Sequence, residues 1–202
     1  MTWVKICGLT RRVDVAAAVD AGADALGFVL ADGSPRQISV ETAASLMDGV
    51  PAVRVLVTVD ATIAAVAEAV AATGADGVQP HGAESGAVAR WAQQAGLFVL
   101  RPVTVSGGEA LQAASIPKGQ IPLLDSARGS HHGGTGVTLD WQTLKRPDRP
   151  FVLAGGLDPT NVAEAVGAVH PWGVDASSGL ESLPGIKDTA RVAAFVEEAK
   201  QT

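Results

Sequence analysis

Short apolar runs alternate with amphipathic stretches along this sequence, and that alternation restricts the fold more than any other feature. Six windows share the helical spacing i, i+3, i+4, i+7: Val15/Ala18/Val19/Gly22, Ala43/Leu46/Met47/Val50, Ile63/Val66/Ala67/Val70, Val88/Trp91/Ala92/Ala95, Val162/Ala165/Val166/Val169 and Val192/Phe195/Val196/Ala199. Each predicts a helix with one buried stripe. Ser39, Asp60 and Asp188 stand where caps belong, and Asp158 precedes Pro159 at a first helical position. Between the helices lie Trp3 to Ile6, Ala25 to Leu30, Val53 to Val59, Gly77 to Gln79, Leu97 to Leu100, Ile121 to Leu124, Phe151 to Ala154 and Trp172 to Val174. These eight runs are continuously apolar, as strands buried on both faces are, and the interleaved helices make parallel pairing natural.

Eight βα units in 202 residues favour closure over an open doubly wound sheet, so the expectation is α/β: a (β/α)₈ barrel of the TIM type, one domain over residues 1–202. Gly22-Ala23-Asp24 and Gly74-Ala75-Asp76 both follow a helix and precede a strand, a faint internal repeat. The segments Gly107 to Gly119 and Ser126 to Val137 have poor helical content and read as loops with short helical pieces.

Hydrophobic residues at 47% and charged residues at 18% supply a large core and exclude a disordered chain. The net charge of −6 lacks the clustered Lys and Arg of a nucleic-acid binder, although a few local donors suffice for one small phosphate. The N-terminus has no signal-peptide pattern, no long apolar span occurs, and the single cysteine has no internal disulfide partner. A cytoplasmic enzyme is expected, with no nucleic-acid or membrane partner.

Barrels carry function at the C-terminal ends of their strands. There the sequence places Cys7, Gln79 with His81 behind it, Arg101, Asp125, Gly155-Gly156 and Asp175, with Arg36 in the loop after strand two. A cysteine at a core edge is ordinarily packing. Lys5, two residues earlier and so on the same side of the strand, would favour a thiolate, which makes Cys7 a candidate base. With a histidine partner it would instead be a nucleophile, so a thiol hydrolase is a rival. Asp125 leaves an apolar strand into the barrel mouth, where it is either a general acid or a turn residue. Arg36 is either a surface charge or a bidentate carboxylate contact; His81 and Gln79 are candidate substrate contacts or, respectively, a turn residue and a satisfied core amide.

Gly155-Gly156 and Ser177-Ser178-Gly179 lie where barrels hold phosphate through backbone N–H groups. Gly133-Gly134-Thr135-Gly136 lacks the lysine of a Walker loop and reads as a mobile loop. His131-His132 lack metal-ligand spacing, so neither metal nor cofactor is expected.

Across almost the whole chain these motifs, with Lys5-Ile6-Cys7-Gly8-Leu9-Thr10, Ser34-Pro35-Arg36-Gln37-Ile38-Ser39, Val78-Gln79-Pro80-His81-Gly82, Leu123-Leu124-Asp125-Ser126 and Val174-Asp175-Ala176-Ser177-Ser178-Gly179-Leu180-Glu181, resemble the phosphoribosylanthranilate isomerase family of tryptophan biosynthesis. The resemblance implies an Amadori rearrangement of a phosphorylated substrate by a monomer or homodimer. It implies Asp125 as acid, Cys7 as base, Arg36 on the anthranilate carboxylate, and Gly155, Gly156, Ser177, Ser178 and Gly179 on the phosphate. Gln79, His81 and Asp175 take general substrate-site roles. Pro80 and Arg101 depart from the family pattern, which has an apolar residue such as Leu and a Lys there. The alternatives are the barrel isomerase of histidine biosynthesis, whose carboxylate at strand one is Cys7 here, and a silent barrel that only binds a sugar phosphate.

Overall fold

Parallel strands buried on both faces can satisfy every edge by closing on themselves, and this chain does so. In the computed structural model, which describes residues 1–105, 115–126, 141, 144 and 146–201, eight strands form a closed barrel in sequence order. They are β1 (Trp3–Cys7), β2 (Ala25–Val29), β3 (Val53–Val59), β4 (Gly77–His81), β5 (Phe98–Val105), β6 (Ile121–Ser126), β7 (Val152–Leu153) and β8 (Gly173–Ala176). β8 closes the barrel against β1, with Lys5 opposite Asp175. The helices are α1 (Arg12–Asp20), α2 (Val40–Met47), α3 (Ile63–Thr73), α4 (Ser85–Gln94), α5 (Val162–Val169) and α6 (Thr189–Gln201), one for each predicted stripe. An antiparallel hairpin, β9 (Glu181–Leu183) with β10 (Ile186–Lys187), follows β8. The predicted loops between residues 107 and 119 and between 126 and 137 fall largely outside the described residues, as do His131, His132 and the glycine run 133–136.

Alternation along the strands sorts side chains between two cores. Val4 and Ile6 join the shell under the helices, whereas Trp3, Phe98, Leu100, Ile121, Leu123 and Val152 pack together inside the lower barrel. Cys7, Val29 and Val57 form a small apolar layer above. The buried Lys5 and Asp175 lie on the strands that bear these layers.

Ser39 and Asp188 cap as expected: Ser39 Oγ accepts from Thr42 N–H at 3.1 Å, and Asp188 Oδ1 from Ala190 N–H at 3.0 Å. Asp60 does not. Thr62 caps α3, while Asp60, with φ of 48°, accepts from Ala83 N–H at 2.7 Å and so ties the exit of β3 to the loop after β4. Asp158 closes a turn onto Thr160 N–H at 2.7 Å, and α5 starts only at Val162. The repeated Gly-Ala-Asp turn has one physical purpose: Asp24 Oδ2 accepts from Val4 N–H at 2.8 Å and Asp76 Oδ2 from Arg54 N–H at 2.9 Å. Each carboxylate thus satisfies a donor near the start of the preceding strand.

Candidate active site

Because all eight strands are parallel, their C-terminal ends converge on one mouth. A cavity of about 180 Å³ opens there, and its lining includes Cys7, Arg36, Gln79, His81, Asp125, Asp175, Gly155, Gly156 and Ser177 to Gly179. Every residue to which the sequence reading gave a catalytic, substrate or phosphate role lines it. Arg101 does not: it sits half-buried on β5, and its Nη1 makes no hydrogen bond among the described residues. A larger hollow, about 500 Å³, lies at the opposite end, around residues such as Phe151 and Trp172 that precede β7 and β8.

Lys5 is fully buried, and its Nζ donates to Asp175 Oδ1 at 3.0 Å. Burial works against the ammonium, but Asp175 and Cys7 outweigh it and hold the lysine pKa above its usual value. Removing one partner of such a pair typically costs about 3–5 kcal/mol, because the other charge stays buried alone. Burial pushes the Cys7 thiol up; Lys5 and Lys187 oppose that rise without overcoming it. The expectation that Lys5 favours the thiolate holds in direction, but desolvation wins. Room for this cluster comes from Gly27 on β2, where a Cβ would lie 2.8 Å from Cys7 Sγ and 3.1 Å from Lys5 Nζ.

On β4, Gln79 Nε2 and His81 Nε2 are 3.1 Å apart. With the amide as donor the ring nitrogen accepts, which leaves the imidazole hydrogen on Nδ1. Burial, with the positive charges of Lys5 and Arg101, lowers the His81 pKa to about 4, so the ring is neutral near pH 7. Among the described residues the buried Gln79 Oε1 has no hydrogen-bond partner, an acceptor left over in the site. Among the described residues no histidine hydrogen-bonds Cys7: His81 pairs with Gln79, and His170 ends α5.

Arg36 meets a residue that the motif reading gave no role. Its Nε and Nη2 donate to the two oxygens of Glu181 at 2.6 and 2.7 Å, and Lys187 Nζ donates to Glu181 Oε1 at 2.9 Å. Both newcomers come from the hairpin β9–β10. Burial raises the Glu181 pKa, but Arg36 and Lys187 together bring it below the usual carboxylate range.

The glycine runs after β7 and β8 meet. Gly155 and Gly156 have φ of 91° and 70°, a pair of left-handed conformations that side chains disfavour. Asn161 Nδ2 holds the Gly156 carbonyl at 3.0 Å, and Ser178–Leu180 form a single 3₁₀ turn. A Cβ on Gly179 would overlap the Leu157 carbonyl, so only glycine lets the two loops pack this closely. Lys187 Nζ also donates to the Ser177 carbonyl at 3.0 Å, bringing a cation to the same rim. Among the described residues no group of three His, Cys, Asp or Glu side chains is arranged to hold a metal, and no helix is long and apolar enough to cross a membrane.

The model of the N-(5'-phosphoribosyl)anthranilate (PRA) isomerase family matches residues 4–198 of this chain. The chain belongs to that family. Among PRA isomerases, the protein from Geobacter sp. (strain M21) is 44% identical over 205 residues, covering 100% of this chain and 99% of its own. A structure of monomers of the dimeric enzyme from Thermotoga maritima superposes with a TM-score of 0.85 at 32% identity, covering 100% of both chains. A PRA isomerase in complex with reduced 1-(o-carboxyphenylamino)-1-deoxyribulose 5-phosphate likewise has a TM-score of 0.85 at 32% identity, with 100% of both chains covered. The closed eight-stranded barrel is therefore the fold of solved PRA isomerases.

Proposed function

We propose that this chain isomerises N-(5'-phosphoribosyl)anthranilate to 1-(2-carboxyphenylamino)-1-deoxyribulose 5-phosphate in tryptophan biosynthesis, with Asp125 as acid and Cys7 as base. The observation that carries the assignment of roles is the single cavity onto which β1, β4, β6, β8 and the loops after β2, β7 and β8 bring all the residues the family motifs single out.

In this reading Asp125 protonates the furanose ring oxygen, the bond from that oxygen to the anomeric carbon breaks, and the anthranilate nitrogen lone pair forms the iminium. Cys7 as thiolate then takes the proton from the neighbouring carbon, whose electrons move to the anomeric carbon and neutralise the nitrogen. The enolamine tautomerises to the ketone by moving its hydroxyl proton to carbon, and exchange with solvent returns the proton gained by Cys7 to Asp125, so atoms balance with no cofactor or metal. The iminium acidifies the proton that Cys7 removes, and Lys5 and Lys187 offset part of the cost of a buried thiolate. Arg36 takes the anthranilate carboxylate; Gly155, Gly156, Ser177, Ser178 and Gly179 take the phosphate; Gln79 Oε1 accepts from a sugar hydroxyl, with neutral His81 and Asp175 beside it. One barrel over residues 1–202 works this way in the cytoplasm, as a monomer or as a homodimer like its Thermotoga relative.

The test mixes purified protein with freshly generated substrate, chelator present and no cofactor added, and follows loss of substrate fluorescence. Rapid loss in the parent chain is expected, with turnover reduced at least about a hundredfold by Asp125→Asn and by Cys7→Ser. Near-normal turnover in either variant removes that residue from the mechanism.

A further inference from the structure

Among the residues after β8 are two buried charged side chains that the proposed chemistry brings into no contact with substrate, Glu181 and Lys187. Their side chains are 5% and 0% exposed, and Arg36's is 14%. Few settings would retain three charges so deeply without a use for the arrangement, because each costs desolvation.

A guanidinium offers a planar anion two edges, one at Nε and Nη2 and one at its far end, Nη1 and Nη2. Glu181 fills the first with a two-pronged contact. At the far end Nη1 makes no hydrogen bond among the described residues and Nη2 keeps its second N–H beyond the one given to Glu181, and Arg36 lines the cavity. The stem is fixed too: a Cβ on Gly8, whose φ is 77°, would overlap Arg36 Cδ and stand 3.0 Å from Ser177 Oγ. Lys187 matters for charge. Arg36 and Glu181 alone would be neutral as a pair; with Lys187 the cluster presents one net positive charge to an incoming anion.

We infer that Glu181 and Lys187 are positioning residues for Arg36, holding its guanidinium by one edge so that the other receives the aromatic carboxylate of the substrate. The inference rests on the reading of Arg36 given above. It makes carboxylate selection depend on a hairpin that itself stays off the substrate.

The test compares two inhibitors, reduced 1-(2-carboxyphenylamino)-1-deoxyribulose 5-phosphate and the same compound without its ring carboxylate, in the parent chain and in Arg36→Met, Glu181→Gln and Lys187→Met. Both inhibitors share the sugar and phosphate contacts, so a purely structural defect weakens both and leaves their ratio unchanged. Parent protein should prefer the carboxylated compound by about a hundredfold, and Arg36→Met should abolish the preference. Glu181→Gln and Lys187→Met should each cut it about tenfold; in Glu181→Gln KM should rise while kcat stays within about threefold, whereas Lys187→Met, which also removes a charge that supports the Cys7 thiolate, is read by the inhibitor ratio alone. Preference retained in Arg36→Met sinks the reading of Arg36 itself. Preference lost there but intact in Glu181→Gln, or tighter binding in Glu181→Gln as expected of a competitor removed, overturns the inference alone. Should the glutamine variant not fold, Glu181→Asp keeps the charge and shortens its reach; it should lose preference as well, and an unchanged ratio there also overturns the inference.

Discussion

Gly27→Ala adds one methyl group at the position on β2 that faces Cys7 and Lys5, and its effect follows from three distances. The new Cβ would stand 2.8 Å from Cys7 Sγ, 3.1 Å from Cys7 Cα and 3.1 Å from Lys5 Nζ, where ordinary contact begins at 3.4 Å. Cys7 Sγ must therefore retreat by at least about 0.6 Å, or the strands must part; Lys5, held to Asp175, has little freedom to yield. Productive geometry tolerates about 0.5 Å, and a misplacement of about 1 Å costs about a hundredfold. The expected loss in kcat is therefore about ten- to a hundredfold. Overpacking should cost about 1–3 kcal/mol of stability, enough to lower Tm by several degrees and not enough to unfold the barrel. Initial rates of fluorescence loss at saturating substrate, paired with a thermal melt, measure both. A kcat within threefold of the parent, in protein that melts as a folded barrel, would refute the view that Gly27 sets the position of a working thiol.

Since burial raises the Cys7 pKa and only the thiolate is alkylated, the rate of Cys7 alkylation by iodoacetamide should climb with pH from about 6 through about 8.5 without a plateau near 7; a plateau there argues against the raised thiol. His81 gives a stability signal of defined sign. Its folded pKa of about 4 lies below the ordinary 6.5, so between those values the unfolded chain binds the proton that the native chain refuses. Stability from this group is complete above pH 6.5 and falls as pH drops toward 4, by about 3 kcal/mol in all. Denaturant titrations of the parent and His81→Asn should differ in slope across that window, and equal slopes would reject the buried neutral ring.

Apolar runs located all eight strands because a strand buried on both faces leaves a contiguous trace; β3 was legible to the residue. The upper ends of β4, β5 and β6 were not, since Pro80-His81, Arg101 and Asp125 interrupt the apolar pattern while the backbone continues as strand. Polarity at a barrel mouth reflects the site, not the end of the sheet. Pro80 leaves a related mark: lacking an N–H, it lies beyond the last β4–β5 pair, Val78 with Val99. The site's individual members were visible as residues after apolar runs. Glu181 and Lys187 gave no comparable signal, because strands of three and two residues carry no period and Glu181 meets Arg36 across 145 positions. Asp60 and Thr62 are both good caps by composition; the left-handed backbone of Asp60 decided between them.

The Lys5–Asp175 pair joins positions 170 residues apart. A ribosome adding about 5–20 residues per second needs roughly ten to thirty seconds to make that stretch. For all that time the nascent chain carries a lysine and a thiol whose burial awaits the final strand, followed within a dozen residues by Glu181 and Lys187. A fragment cut before β8 would thus keep Cys7 and Arg36 yet lack Asp175 and Glu181, the partners of Lys5 and Arg36, so the site is completed only with the last strand of the barrel and the hairpin behind it.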